Sequence, residues 1–285
     1  MHSTGEILGL IAGAGRLPLD IARAASARGY GVAAIAFRDA TEPAIVEAAR
    51  SVTWLEPGEV LAALTFLESS GARRAVMAGK VPKSILYADA AAGLDAMATS
   101  ELAALPDRRD DVILARVADV LASRGIELLP QLELVPELVA GTGPLGATAP
   151  SAAQRDDFAF GWPVAKTLAD LDVGQTVLVK DRAVLAVEAI EGTDAAIRRG
   201  GAIASGAVVV KVAKPRQDPR FDVPAIGPET VRVMCEARAA ALAFEAGHTV
   251  VIDREAAVAL ADAHGIALVG IAPDAHEFRD ARVVA

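Results

Sequence analysis

The 285-residue chain has a single cysteine, Cys235, so no disulfide can close within it. One thiol suits a reducing compartment. Its setting in VRVMCEARAAALAF predicts a packed side chain rather than a nucleophile. Aromatic residues are scarce, at 4%, so the apolar content is mostly Ala, Val, Leu and Ile, which suits helices laid on a buried sheet. Basic charge is also short: 28 Lys and Arg against 37 Asp and Glu leave a net charge of −9. That argues against nucleic acid as a partner, since such binders neutralise phosphates with a basic face. No stretch reaches ~18 uncharged apolar residues, so no membrane-spanning helix is predicted. The start, MHSTGEILGLIAGAG, lacks a basic n-region and a long apolar run. A cytoplasmic protein is expected, meeting any membrane peripherally. The four histidines (His2, His248, His264, His276) show no metal-ligand spacing, which argues against zinc. Neither a G-x-S-x-G elbow nor a Walker A pattern occurs.

What is present is an α/β pattern. With 53% hydrophobic and 23% charged residues, a packed core is within reach and global disorder is not expected. Short apolar runs at 7–12, 31–37, 51–55, 72–79 and 126–130 read as strands, and amphipathic segments at 17–29, 43–50, 57–71 and 110–125 read as helices. Strand–helix alternation with right-handed crossovers makes residues 1–139 a Rossmann-like domain with a parallel sheet. The Gly, Pro, Ala and Thr run at 140–150 reads as a linker. Residues 151–285 form a second, C-terminal α/β domain. There, 157–174 reads as a helix interrupted by Pro163 and 175–192 as a hairpin turning at Lys180-Asp181-Arg182. Residues 193–205 and 230–247 read as helices, 207–213 as a strand and 214–229 as a loop with four prolines. A strand at 248–253, a helix at 254–265 and a strand at 266–272 complete it.

Several groups could carry chemistry. Gly13-Ala14-Gly15 follows a strand and precedes a helix, where backbone N–H groups can meet a phosphate. The dinucleotide fingerprint fails at its third glycine, where Pro18 stands, so a nicotinamide oxidoreductase is the weaker reading. Lys80 and Lys83 follow another strand end and could meet phosphates. Glu188, Glu191 and Asp194 lie around Gly192-Thr193 at a strand–helix junction, the oxygen-rich setting that Mg²⁺ takes. Helix capping, with Thr193 as N-cap, is the plainer alternative. Lys211, Lys214, Asp218, Arg220 and Asp222 lie on or beside the proline-rich loop, whose cations could neutralise a pyrophosphate while Asp222 holds a metal or orients water.

LGLIAGAGRLP at the start, AGKVPK at 78–83, RRDDVIL at 108–114, VLAVEAIEGTDAAIRR at 184–199 and KPRQDPRFDVPAIGPETV at 214–231 together resemble the LpxI family of UDP-2,3-diacylglucosamine pyrophosphatases of lipid A synthesis. The resemblance implies a two-domain, Mg²⁺-dependent, dimeric cytoplasmic enzyme that splits UDP-2,3-diacylglucosamine into UMP and 2,3-diacylglucosamine 1-phosphate (lipid X). It matches Asp222 to the aspartate of the family's D-x-P motif and Glu191 to Asp194 to its E-G-T-D block. Gly13 and Gly15 match its glycine turn. Joined to the residue reading, it predicts Asp222, Glu191, Asp194, Lys211 and Lys214 as catalytic. Gly13, Gly15, Lys80, Lys83, Gly192 and Thr193 would bind substrate, and Asp222, Glu188, Glu191 and Asp194 would hold the metal. The UDP-linked lipid would bring the enzyme to the inner membrane. A binding protein without turnover would use the same pocket.

Overall fold

The structure is a computed structural model and describes residues 5–81, 93–215, 218–221 and 223–273. Two compact units divide the chain. Unit 1 takes Met1–Pro136 together with Asp218–Asp222, and unit 2 takes Glu137–Gln217 and Val223–Ala285.

Unit 1 runs β1 (Ile7–Ala12), α1 (Leu17–Ala27), β2 (Gly31–Phe37), α2 (Ile45–Ala48), β3 (Ser51–Leu55), α3 (Val60–Ser70), β4 (Arg74–Ala78), α4 (Ala96–Ala103), α5 (Asp110–Ser123) and β5 (Glu127–Leu128). Its strands pair in parallel in the order β3-β2-β1-β4-β5. The central strand β1 is covered on both faces, which is why ILGLIA reads as an unbroken apolar run. Pro18 sits in the first turn of α1, where its missing N–H costs nothing, and Gly71 closes α3 in the left-handed region at φ 81. One core cluster gathers Ile35, Leu67, Met77 and Leu121. Phe221, far along the chain, joins the same cluster at 3% exposure, and the Gln131 amide donates to the Pro219 carbonyl at 3.0 Å.

Unit 2 runs β6 (Gly143–Pro144), α6 (Ala152–Asp170), β7 (Thr176–Lys180), β8 (Ala183–Val187), α7 (Thr193–Ile203), β9 (Val208–Lys211), β10 (Ala225–Ile226), α8 (Pro228–Glu236), β11 (Ala241–Glu245), β12 (Val250–Val251), α9 (Arg254–Ala263) and β13 (Ala267–Ile271). A mixed six-stranded sheet has the order β6-β13-β11-β9-β7-β8, and β10 pairs with β12 beside it. The two-residue period of the strands sorts their side chains into two layers. Val209, Leu242, Phe244 and Leu268 pack with Ile197 of α7, Met234 of α8 and Ala257 of α9. Val208, Val210, Ala241 and Ala243 pack with Phe158, Trp162 and Ala165 of α6.

The α/β class and the parallel first sheet match the sequence reading. Three local expectations change. The stretch 230–247 is not one helix. Arg238 enters the left-handed region at φ 53, α8 ends, and Ala241–Glu245 becomes β11 inside the sheet. The alanines of that run suit a helix, but burial between β9 and β13 decides for strand. Residues 140–150 do not form a linker either: Ala140 is 1% exposed and β6 pairs with β13. Pro163 does not interrupt the helix. It lies inside α6, which starts earlier than expected on a Ser151–Gln154 capping box.

The expected hairpin is present, and its turn explains one buried carboxylate. Asp181 and Arg182 both take positive φ, 51 and 58, the two-residue turn that matches strand twist. Neither is glycine, so the conformation needs support. Asp157 of α6, 4% exposed, gives it by accepting from the Asp181 amide at 3.1 Å and the Arg182 amide at 2.6 Å. Asp157→Ala is expected to lower the unfolding free energy by about 2–3 kcal/mol, read from urea denaturation. An unchanged midpoint would show that the turn holds itself.

Candidate active site

Strands β9, β11 and β13 are parallel, and β8 runs the same way through two antiparallel pairings. Their carboxyl ends therefore share one edge of the sheet, where open α/β sheets bind ligands. Charge gathers at this edge in three groups.

The first lies on the α7 face. Lys211 ends β9 and is the register partner of Thr176, so the two side chains stand side by side. The Lys211 ammonium donates to the Thr193 hydroxyl at 2.9 Å, and that hydroxyl donates to Glu188 Oε1 at 2.8 Å. The Gln175 amide approaches Glu188 Oε2 at 3.3 Å. All four side chains are buried: Thr176 is 0% exposed, Lys211 and Thr193 3%, Glu188 9%. Burial pushes the Glu188 carboxyl up, but the Lys211 charge and hydrogen bonds from Thr176, Thr193 and the Gln175 amide outweigh it and hold the group below its ordinary value.

The second group lies on the α6 face. Glu245 ends β11 at 3% exposure. It accepts from Lys166 of α6 at 2.7 and 2.9 Å and from the Ala213 amide at 2.8 Å. The third is a buried ion pair, Lys214 to Asp172 at 2.6 Å. Asp172 sits in the left-handed region at φ 55.

The residues expected from the sequence fare unevenly. Glu188, Thr193 and Lys211 meet in one network. Thr193 is not the N-cap: Gly192 takes that place at φ 84, a conformation a side chain would strain, and frees the threonine hydroxyl to bridge lysine and glutamate. Glu191 is taken by Arg199 in an ion pair. Asp194 stands in the first turn of α7. Asp218 binds Arg220 through several hydrogen bonds, the shortest 2.6 Å, which lower its carboxyl below the usual range. Lys83 and Asp222 lie outside the described residues. The neighbours of Asp222 are described: Phe221 is buried in unit 1, and the Pro224 carbonyl accepts from Val250 at 2.8 Å.

The glycine turn departs from expectation. The Gly13 amide donates to the Ala78 carbonyl at 2.7 Å, and Ala14 and Lys80 exchange amide bonds at 2.8 and 3.0 Å. Those amides are already engaged by a neighbouring loop rather than held ready for a phosphate. Gly13 is glycine because a Cβ there would lie 2.7 Å from the Lys80 carbonyl oxygen. Gly15, at φ 92, has open space around it, and the Lys80 side chain is exposed.

Mg²⁺ asks for oxygen ligands with room for water and phosphate. Among the described residues no group of three or more His, Cys, Asp or Glu could hold a metal. Glu188 is committed to Thr193 and Gln175, and Glu191 to Arg199. The described carboxylates thus do not by themselves fit the ion. Lys166, Asp172, Thr176 and Glu245 were not legible as site residues in the sequence. The one available signal was Glu245 at the end of the ALAFE run, hidden while that run read as helix. No helix among the described residues is long and apolar enough to cross a membrane.

Both units match known family models: residues 7–138 match the LpxI N-terminal domain and residues 141–269 the LpxI C-terminal domain. The chain is 34% identical over 279 residues to the UDP-2,3-diacylglucosamine pyrophosphatase LpxI of Caulobacter vibrioides, covering 93% of this chain and 98% of that one. With both units matched and that relative covered nearly end to end, this chain belongs to the LpxI family.

Proposed function

We propose that the protein hydrolyses UDP-2,3-diacylglucosamine, forming UMP and 2,3-diacylglucosamine 1-phosphate (lipid X) for lipid A synthesis. The observation that carries this reading is the likeness to the Caulobacter pyrophosphatase over 98% of that enzyme's length. In the reaction a water oxygen bonds to one phosphorus, the bridging P–O bond breaks, and the water's proton leaves with solvent or base. Asp222 of the D-x-P motif is the residue assigned to the attacking water. Lys211, held through Thr193 beside Glu188, and Lys214, paired with Asp172, are the cations assigned to offset charge on the leaving phosphate. Glu188 and Thr193 fix the Lys211 ammonium in place.

Magnesium belongs to the same proposal through Asp222. The described side chains do not complete a site for it, and the roles of the two lysines do not pass through it. The enzyme is read as a cytoplasmic homodimer that meets the membrane through its lipid substrate. The test is release of UMP from UDP-2,3-diacylglucosamine by the purified chain, with and without EDTA. UMP is expected with Mg²⁺ and lost on chelation. No UMP under any divalent metal sinks the reading, and full turnover in EDTA removes the metal from it.

A further inference from the structure

Two strands of the second sheet separate at their carboxyl ends. The parallel register of β9 and β11 stops at Lys211 opposite Phe244, and the next residue on β11 is Glu245. Beyond it the Ala246 amide donates to the Ile271 carbonyl at 2.9 Å, so the chain follows β13. On the other side of β9 the Val212 amide still reaches the Gln175 carbonyl at 3.0 Å. Ala213 comes next, 2% exposed, and its backbone amide and carbonyl are both met by side chains.

Those side chains belong to one ion pair. Glu245 accepts from the Ala213 amide at 2.8 Å. Lys166 of α6 donates to the Ala213 carbonyl at 3.0 Å and to the two Glu245 oxygens at 2.9 and 2.7 Å. An ammonium carries three donors, and these oxygens take all of them. Hydrogen bonds to charged groups are the strong ones. The pair therefore closes a ring on a single residue and fixes its backbone on both sides.

Stability alone does not call for this arrangement. Glu245 is 3% exposed, and burying a charge pair carries a desolvation cost that apolar side chains of similar size avoid. The same layer holds Ala165, Val212 and Ala243. What the pair secures is position. Ala213 stands directly before Lys214 and shortly after Lys211, the two cations assigned above to the leaving phosphate. Lys211 is held by Thr193 and Lys214 by Asp172. A rotation at Ala213 would swing one lysine relative to the other.

We infer that Lys166 and Glu245 are positioning residues for the reaction: through Ala213 they set Lys214 relative to Lys211. The inference rests on the hydrolase reading proposed above. Groups that stabilise a transition state act by being fixed before the reaction. Displacing such a group by about 1 Å costs roughly tenfold to a hundredfold in rate.

The experiment compares the full-length wild type with the double variant Lys166→Met/Glu245→Gln and with Lys166→Arg. The double variant removes both charges together, so no buried charge is left unpaired. It keeps an acceptor for the Ala213 amide and releases the carbonyl. UMP release from UDP-2,3-diacylglucosamine is measured beside the melting temperature and the amide hydrogen exchange of peptides spanning Lys211–Lys214. The double variant is expected to melt close to the wild type and to exchange faster across that segment. Its kcat should fall roughly tenfold to a hundredfold while KM moves by less than about twofold, as when an interaction of the transition state is lost. Lys166→Arg keeps a cation for both partners and should recover most of kcat. A folded double variant with wild-type kcat, or with unchanged exchange over this segment, overturns the inference. Should the double variant not fold, Glu245→Asp decides, since it keeps the charge and shortens the reach: wild-type kcat in that variant overturns the inference too. A wild type that releases no UMP sinks the hydrolase reading and the inference with it, whereas an active wild type beside an equally active variant sinks the inference alone.

Discussion

Lys211→Met is expected to cost the fold about 3–5 kcal/mol of stability. Methionine keeps most of the volume, so the loss is electrostatic. Without the ammonium, Glu188 is left buried at 9% exposure, and its hydrogen-bond donors among the described residues, Thr193 and the Gln175 amide, are neutral. At ~2–4 °C per kcal/mol for a unit of this size, the melting temperature falls by roughly 10 °C. The pH dependence separates this cause from lost packing. In the wild type the Glu188 carboxyl lies below its ordinary value. Its contribution is therefore present above the unfolded-state value and is lost as pH falls through the lower folded one. In Lys211→Met the balance reverses, because burial acts without its largest counterweight, and the carboxyl moves up. The variant is then penalised at neutral pH and relieved by acid. The gap between the two proteins should close from pH 7 toward pH 4. A gap constant across that range would mean that the ammonium is not what holds Glu188. Glu188→Gln added to Lys211→Met should return part of the stability, since the uncompensated charge is gone.

Asp222→Asn is expected to act on the chemistry. The change keeps size and shape and removes a negative charge. If Asp222 serves the attacking water, turnover of UDP-2,3-diacylglucosamine falls by roughly 10²–10³ while the substrate still binds. Single-turnover assays with the UDP-lipid, beside a binding titration of the same variant, read the two effects apart. Binding kept and turnover lost also disposes of a carrier without catalysis. A variant as active as the wild type would move the reaction elsewhere, and the edge that holds Lys211, Lys214 and Glu245 would be the next place to look.

The strands of unit 1 could be read directly because their apolar runs are short and bounded by glycine, as at Gly29 and Gly71. The hairpin at Asp181-Arg182 was equally plain. What holds it was not, since Asp157 lies on another element and only tertiary packing brings it to the turn. β11 was misread because ALAFE continues an alanine-rich helical pattern, and a short buried strand differs from a helix only by its neighbours in space. That misreading hid Glu245, and with it the Lys166 pair. At the site, Glu188, Thr193 and Lys211 were each legible as candidates. Their joining was not, because it depends on β7, β8, β9 and α7 meeting at one edge. Glu191 illustrates the converse: in the sequence its carboxylate reads as available, and in the fold Arg199, on the next helix, holds it.

Phe221 gives unit 1 a dependence on translation order. Proteins emerging from the ribosome tend to fold their first domain while later residues are still being added. Here the first unit includes Asp218–Asp222, and its core counts Phe221 among its members. That core cannot be complete when residue 136 has emerged. It must wait for most of the second unit's chain, including β7, β8 and β9, to be synthesised. A gene cut at the boundary between the units would yield a first half with an unfilled hole, so the two units share one folding history.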